Sequence, residues 1–469
     1  MKTRFRLLPL FALAAGAASG QEVSVYGSTL AQLWKSETPG FDKATYAPAT
    51  QFLGIDALNL GTERLSLHLF GWGMADLADQ SRYNGANGSK TQGDLSFGYL
   101  QYRFPTANAE LKAGRFSVNQ AVGIEQVDGL SARADLRGGF TVSAFAGQPV
   151  LYKNPLQTGH EKNDYAFQRN WIAGARIGLR VPKVGEFGLS YLQDGQNAAK
   201  DLPRPSETDY TRRQVGLDLR ISPVAAFDLS GRTVFDVAKH PETPAGETKP
   251  SNIAEHDYQV SVRPTDLFAL TGTVTERNYR AFYAGTNLHS LFNQHEKGKF
   301  SAYGAGLVFG TAAKLQVTAD FRHTKREIYG EANRFGVDAK WAVAGTKIVA
   351  GAGIHQVSAP DAAASPDPES LRYGTSHSEA RLWAMWETGK LSFSGDGIYY
   401  KFKDSTNPNL YGKDAMFELV VSAGYQATPE FKVAGDLAYG ANAFAKSETR
   451  GLLRLEYRFG GPAAKGGKK

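Results

Sequence analysis

The last strand-like segment of the chain sets the strongest limit on its fold. Leu453, Leu455, Tyr457 and Phe459 alternate with Leu452, Arg454, Glu456 and Arg458. One face is oily and ends in two aromatics, and the other is mostly charged. That period is two, the period a β-strand imposes, because successive side chains leave opposite sides of the backbone. Segments of the same type recur along nearly the whole chain. Phe227, Leu229, Gly231, Thr233 and Phe235 alternate with Asp228, Ser230, Arg232 and Asp236. Leu315, Val317, Ala319 and Phe321 alternate with Gln316, Thr318, Asp320 and Arg322. An Arg or Lys held against lipid at mid-depth costs about 2–4 kcal/mol, so a repeated parity of this kind is selected.

The N-terminus is read separately. Lys2, Arg4 and Arg6 precede an apolar run from Leu7 to Ala18, and Ala18-Ser19-Gly20 supplies small residues for cleavage before Gln21. Residues 1–20 therefore read as a secretory signal peptide. The apolar run is shorter than the roughly 20 residues needed to span a bilayer.

The chain contains Cys 0, which excludes thiolate metal sites, lipoprotein acylation and C-x-x-C-H haem attachment. Gly 51, Phe 27 and Tyr 21 against Met 4 suit a strand-rich wall better than a set of soluble domains. The net charge of +7 is spread along the chain, with no basic stripe of nucleic-acid character.

Connections locate the strands. Short turns fall at Gly61–Glu63, Pro105–Asn108, Arg137–Gly139, Pro182–Val184, Ser222–Val224, Pro264–Asp266, Gly310–Ala312, Ala344–Thr346, Thr388–Lys390 and Thr428–Glu430. Each joins two strand-like runs and reads as a hairpin. Between them lie longer polar connections, near 36–50, 78–91, 117–123, 148–170, 194–210, 238–252, 280–298, 325–331, 358–376, 403–415 and 442–447. Short turns alternating with long loops are the rhythm of an outer-membrane barrel. The expected fold is all-β: an antiparallel up-and-down transmembrane β-barrel of about 22 strands, between about 18 and 24, over residues 21–459. Residues 460–469 form a basic periplasmic tail. Trp34, Phe104, Trp171, Phe187, Phe227, Phe268, Trp341, Phe431, Tyr439 and Phe459 suit aromatic girdles at the two interfaces.

Three segments resemble the Gram-negative outer-membrane porin superfamily: Val23-Ser24-Val25-Tyr26-Gly27, Leu111-Lys112-Ala113-Gly114-Arg115, and Leu453 to Phe459. The first resembles the opening porin strand. The Leu111–Arg115 segment is similar to the strand that carries Gly-Arg toward the pore, and this resemblance makes Arg115 a pore candidate. The third resembles the aromatic-terminated strand read by the insertion machinery, although Gly460 to Lys469 come after it here. Trimeric diffusion porins have about 16 strands and a long third loop folded into the pore. The connection at that place here, Ser117 to Gly123, is short, and the likeness to a standard trimeric pore stops there.

A barrel of about 22 strands is normally plugged. Either loops such as 148–170 and 280–298 fold inward, or another protein fills the lumen. Sheath barrels of porin–cytochrome conduits resemble the latter case, with a multihaem cytochrome in the lumen.

By parity, the pore-lining candidates besides Arg115 are Arg176, Arg220, Arg232, Asp236, Arg263, Asp320, Arg322, Asp338, Arg381, Asp396, Glu418, Asp436 and Arg454. Such charges tune ion selectivity or form cross-strand ion pairs that stiffen the wall; ion pairing is favoured for most of them. A catalytic site is not expected. His377 and Ser378 are neighbours on a strand and point to opposite faces, so with Glu379 they make no nucleophile–base set. Asp361, Asp367 and Glu369 lack the order of a calcium loop. His289 and His295 fall short of a zinc set. No cofactor or metal is expected. The function these residues imply is an outer-membrane channel for small polar solutes, bathed by outer-membrane lipid, with the cytochrome sheath as the alternative and an enzyme as the least favoured class.

Overall fold

The computed structural model describes residues 22–36, 44–78, 91–150, 170–196, 211–237, 252–278, 299–326, 330–359, 376–403, 410, 412–442 and 447–460. The first part of the wall comprises β1 (Glu22–Ser36), β2 (Ala44–Tyr46), β3 (Pro48–Leu58), β4 (Leu65–Asp76), β5 (Thr91–Phe104), β6 (Ala109–Gln120), β7 (Gly123–Asp135) and β8 (Phe140–Pro149). Next come β9 (Asn170–Val181), β10 (Gly185–Gln196), β11 (Thr211–Val224), β12 (Phe227–Asp236), β13 (Ile253–Thr265), β14 (Phe268–Asn278), β15 (Lys299–Gly310) and β16 (Leu315–Arg326). The last are β17 (Gly330–Ala342), β18 (Ile348–Ser358), β19 (His377–Thr388), β20 (Leu391–Phe402), β21 (Ala415–Thr428), β22 (Phe431–Ala441) and β23 (Glu448–Gly460).

Every neighbouring pair is antiparallel, and β1 closes on β23 from Ser24↔Gly460 to Ser36↔Glu448. β2 and β3 both pair with β1 and form one stave broken at Ala47. The 23 strands therefore make a closed barrel of 22 staves. Closure leaves no free first or last strand, so the backbone groups of the wall pair from stave to stave except where the outer half of β6 and β7 leaves it.

The ten short turns all join adjacent staves as expected. One slips: β11 runs on to Val224, so the Ser222 turn falls at Ala225 and Ala226. β23 ends at Gly460, one residue past the expected end of the barrel. Residues 1–20 and 461–469 lie outside the described residues, and so do Asp361, Asp367, Glu369, His289 and His295.

Directly opposed residues share a face of a sheet, so the registers sort the side chains. One face carries exposed apolar residues on stave after stave, among them Leu130, Ile177, Leu217, Leu270, Phe335, Leu382, Leu419 and Leu453. This is an outward belt. The chain is a transmembrane β-barrel. Phe104, Trp171, Phe187, Trp341, Tyr439 and Phe459 are exposed as girdle residues should be. Trp34 departs from that expectation: it alternates with exposed Leu33 and packs at 4.6 Å against Tyr46 on the inner face.

A corrected element decides the interior. Residues 117–123 read as a polar connection, yet β6 and β7 run on as a hairpin whose turn is only Ala121 and Val122. Its outer half leaves the wall. β5 stops pairing with β6 at Gly98↔Arg115, and β8 stops pairing with β7 at Val127↔Pro149. Gly114 sits at the departure with φ 126°, a backbone shape that L side chains avoid. Any Cβ there would also lie 2.9 Å from Tyr99 Cα. The element that turns inward among the described residues is therefore this hairpin. The expected inward loops, 148–170 and 280–298, fall almost wholly outside the described residues.

Candidate functional site: a constricted lumen

The hairpin lies against the inner wall. Phe116, Val122 and Val127 form one buried cluster with Phe145 of β8, Ile172 of β9, Leu192 of β10, Val234 of β12 and Ala254 of β13. Its tip rests over Gly216 of β11, where a Cβ would come within 2.8 Å of the Ala121 Cβ. Phe116 is 2% exposed and Val127 0%. This is the driest apolar cluster among the described residues, and it sits inside the barrel.

Arg115 holds the joint. Its guanidinium donates to Asp128 at 2.7 and 2.9 Å, to Asp94 at 3.2 Å and to the Leu95 carbonyl at 2.8 Å. One side chain thereby ties β5, β6 and β7 where β5 and β6 part. The Gln126 amide donates to the Ser96 carbonyl across the same gap.

On the short-turn side of the hairpin lies a cavity of about 800 Å³. Its wall is charged and mixed, with Lys112, Arg133, Arg176, Glu186, Asp218 and Arg232. Arg176 of β9 donates to Asp218 of β11 at 2.7 Å and lies 3.4 Å from Glu186 of β10. Arg232 of β12 and Arg277 of β14 both donate to Glu255 of β13, at 3.0 and 2.5 Å. Glu255 is fully buried.

The other candidates are spread around the wall. Arg220 donates to Asp228 at 3.1 Å. Asp236 is buried opposite Gln214. Arg263 borders a small cavity beside the β13–β14 and β15–β16 turns. Asp320 accepts from Arg334 at 2.8 Å. Arg322 stands two residues along the same face, opposite Arg334. Asp338 lies 3.0 Å from His355. Arg381 donates to Asp396 at 3.0 and 3.1 Å. Glu418 pairs with Arg450. Asp436 opposes Ser422 and Leu452, and Arg454 lies 3.1 Å from Glu456. Most of these charges thus have cross-strand partners of opposite sign.

Two features of the inner face were not picked out from the sequence. An aromatic strip runs over β1 to β5: Phe70 stacks near Tyr26, Phe52 and Phe97, with centroids 5.6–6.3 Å apart, and Phe97 leads on to Tyr99. Tyr99 in turn packs against the hairpin cluster, with Lys112 5.4 Å from its ring centroid. The other feature is His355, buried among Asp320, Asp338 and Glu379. His377 packs beside Tyr400 and Phe402, and Ser378 Oγ donates to Gln356 at 2.6 Å.

No protein-family model matches the sequence, and no curated protein matches it. Among solved structures the barrel is similar to the translocation pore of the P pilus usher, at 11% identity and a TM-score of 0.47, over 94% of this chain and 100% of that one. It is similar to OccK9 of Pseudomonas aeruginosa at 11% identity and 0.43, over 94% and 98%. It is also similar to a BenF-like porin from Pseudomonas fluorescens at 9% identity and 0.40, over 95% and 100%. At such identities and scores the likeness is one of barrel shape alone.

Proposed function

We propose that the chain is a porin-type channel of the outer membrane, giving passive passage to small polar solutes. The single observation that carries this reading is the inward hairpin. It narrows the lumen from within its own chain and leaves a charged, water-accessible cavity beside it. A barrel with a lumen partner needs that interior clear, so the hairpin weighs against the cytochrome sheath. Arg176 and Arg232 border the passage below the hairpin, and Arg115 fixes where the narrowing begins. Their cross-strand partners leave little net field, so ion selectivity is expected to be low. Residues 1–20 direct export, and the isolated protein is expected to begin at Gln21.

The test is the full-length barrel in a planar bilayer. Discrete ohmic steps, with a reversal potential near zero across a salt gradient, are the expected result. Silence from heat-modifiable, folded protein that co-purifies with a haem protein would sink the channel reading in favour of the sheath.

A further inference from the structure

We infer that the inner wall of β16–β19 carries a binding site for a borderline divalent cation of the zinc class, built on His355, Asp338 and Asp320. The registers set these residues side by side. Asp320, Gly336, His355 and Glu379 form one cross-strand row, and Asp338 lies two residues beyond Gly336 on the same face. Gly336 makes room for the imidazole, since a Cβ there would collide with the ring. Nε2 of His355 lies 3.0 Å from Asp338 Oδ2 and 3.9 Å from Asp320 Oδ1. One ligand atom from each of the three residues falls within 4.8 Å of the others.

Three arguments point to a cation there. The first is spacing. Nitrogen and oxygen ligands bind zinc at about 2.0–2.2 Å, which puts tetrahedral ligand atoms about 3.3–3.6 Å apart. The observed 3.0 and 3.9 Å bracket that separation. The second is charge. Of the three carboxylates around the ring, Asp320 has its own arginine, Arg334 at 2.8 Å, while Arg381 is engaged by Asp396. Asp338 and Glu379 are left with one imidazole between them, and with Arg381 as a nearby charge rather than an ion-pair partner. The third is the imidazole itself. Its side chain is 5% exposed, and Nδ1 is buried without an aligned hydrogen bond although Glu379 Oε1 lies 3.3 Å away. The contact of Nε2 with Asp338 Oδ2 is a hydrogen bond, in which a cation would take the place of the proton. A neutral ring that binds a cation through Nε2 keeps its proton on Nδ1, where Glu379 can orient it. The donor set of one imidazole and two carboxylates suits zinc-class ions better than magnesium or calcium. The Asp338 side chain is 47% exposed, which leaves the site accessible from the lumen. A bound ion would tie β16, β17 and β18 together and remove negative charge from this side of the lumen, whatever solute passes.

The test is a titration of the full-length barrel in detergent with Co²⁺, monitored in the visible spectrum. The native protein is expected to take up one Co²⁺ with the intense bands of a four-coordinate ion, and Zn²⁺ is expected to displace it. His355→Ala and Asp338→Asn should abolish the bands. Glu379→Gln should weaken binding by about 10–100-fold, as loss of an orienting outer partner does. Heat-modifiable migration on gels reports whether each variant is folded. Absence of Co²⁺ uptake by the native barrel overturns the site, with no variant needed. Undiminished uptake by folded Asp338→Asn or His355→Ala also overturns it and leaves a histidine hydrogen-bonded among carboxylates.

Discussion

Truncating Phe116 to alanine should loosen the constriction without unfolding the wall. Phe116, Val122 and Val127 hold the free half of the hairpin to the inner wall. Full burial of each such side chain contributes about 1.5–3 kcal/mol, so the three supply about 5–9 kcal/mol before ordering costs. A buried Phe→Ala change removes about 3–5 kcal/mol, the transfer term plus the cavity left behind. That is roughly half of what docks the hairpin. At 1.4 kcal/mol per tenfold, the released fraction rises by about two to three and a half powers of ten. The loss falls on the hairpin because its outer half has no ladder to β5 or β8. Apart from β5, which pairs with β6 only from Gly98 to Phe104, every other stave is paired on both sides along most of its length.

The assay is single-channel recording at fixed voltage. Native protein should show one dominant conductance. Phe116→Ala should add a second, larger state with frequent transitions between the two, while the unfolding midpoint in urea changes little. The opposite pattern refutes the reasoning. If conductance and dwell times are unchanged and global stability falls by the full amount, about 3–5 kcal/mol, Phe116 belongs to the folding core of the wall and the hairpin is no separable constriction.

Further outcomes concern the inner and outer faces. Glu255→Gln leaves Arg232 and Arg277 without their buried carboxylate, and reversible urea unfolding into lipid vesicles should show a loss of about 3–5 kcal/mol, as for a broken buried ion pair. Leu382→Arg, at an outward position 69% exposed in the middle of β19, should cost about 2–4 kcal/mol in the same assay. Arg176→Gln frees Asp218 beside the cavity and leaves Glu186 with Arg180 alone, and the reversal potential in a salt gradient should move toward cation selectivity.

Why the wall could be read from residues alone is a matter of two solvents. Each stave separates lipid from water, so Leu453 and Arg454 must take opposite faces, and a slip of one residue exchanges them. Turns such as Pro105–Asn108 and Thr388–Lys390 carry local chemistry that needs no tertiary partner, with Asn108 and Gly389 both at positive φ. The His355 cluster was hidden for the opposite reason. Its members lie on three different staves and come together through the registers Asp320↔Gly336 and Gly336↔His355, which no pattern within a single strand contains.

The hairpin did leave a trace, in the places where alternation fails. Ile172, Leu192 and Val234 stand at positions whose neighbours two residues on, Gly174, Ser190 and Arg232, belong to the inner face. An apolar side chain facing a water-filled lumen gives up its burial energy, so three of them gathered on β9, β10 and β12 require a cover. The cover must come from the chain itself or from a partner. The apolar residues Val118, Ala121 and Val122, set in a connection that otherwise reads as polar, are complementary to that demand. Breaks in the parity therefore carry as much information as the parity: the regular positions describe the wall, and the oily exceptions on its wet side locate what is folded against it. Tyr26, Phe52, Phe70 and Phe97 are exceptions of the same kind on β1 to β5. Their rings remain half-buried, with no described element lying over them apart from the edge of the hairpin at Tyr99. The inner face is thus unlike from one side to the other: the described wall of β9 to β13 is charged and covered in part by the hairpin, whereas β1 to β5 carry the aromatic strip.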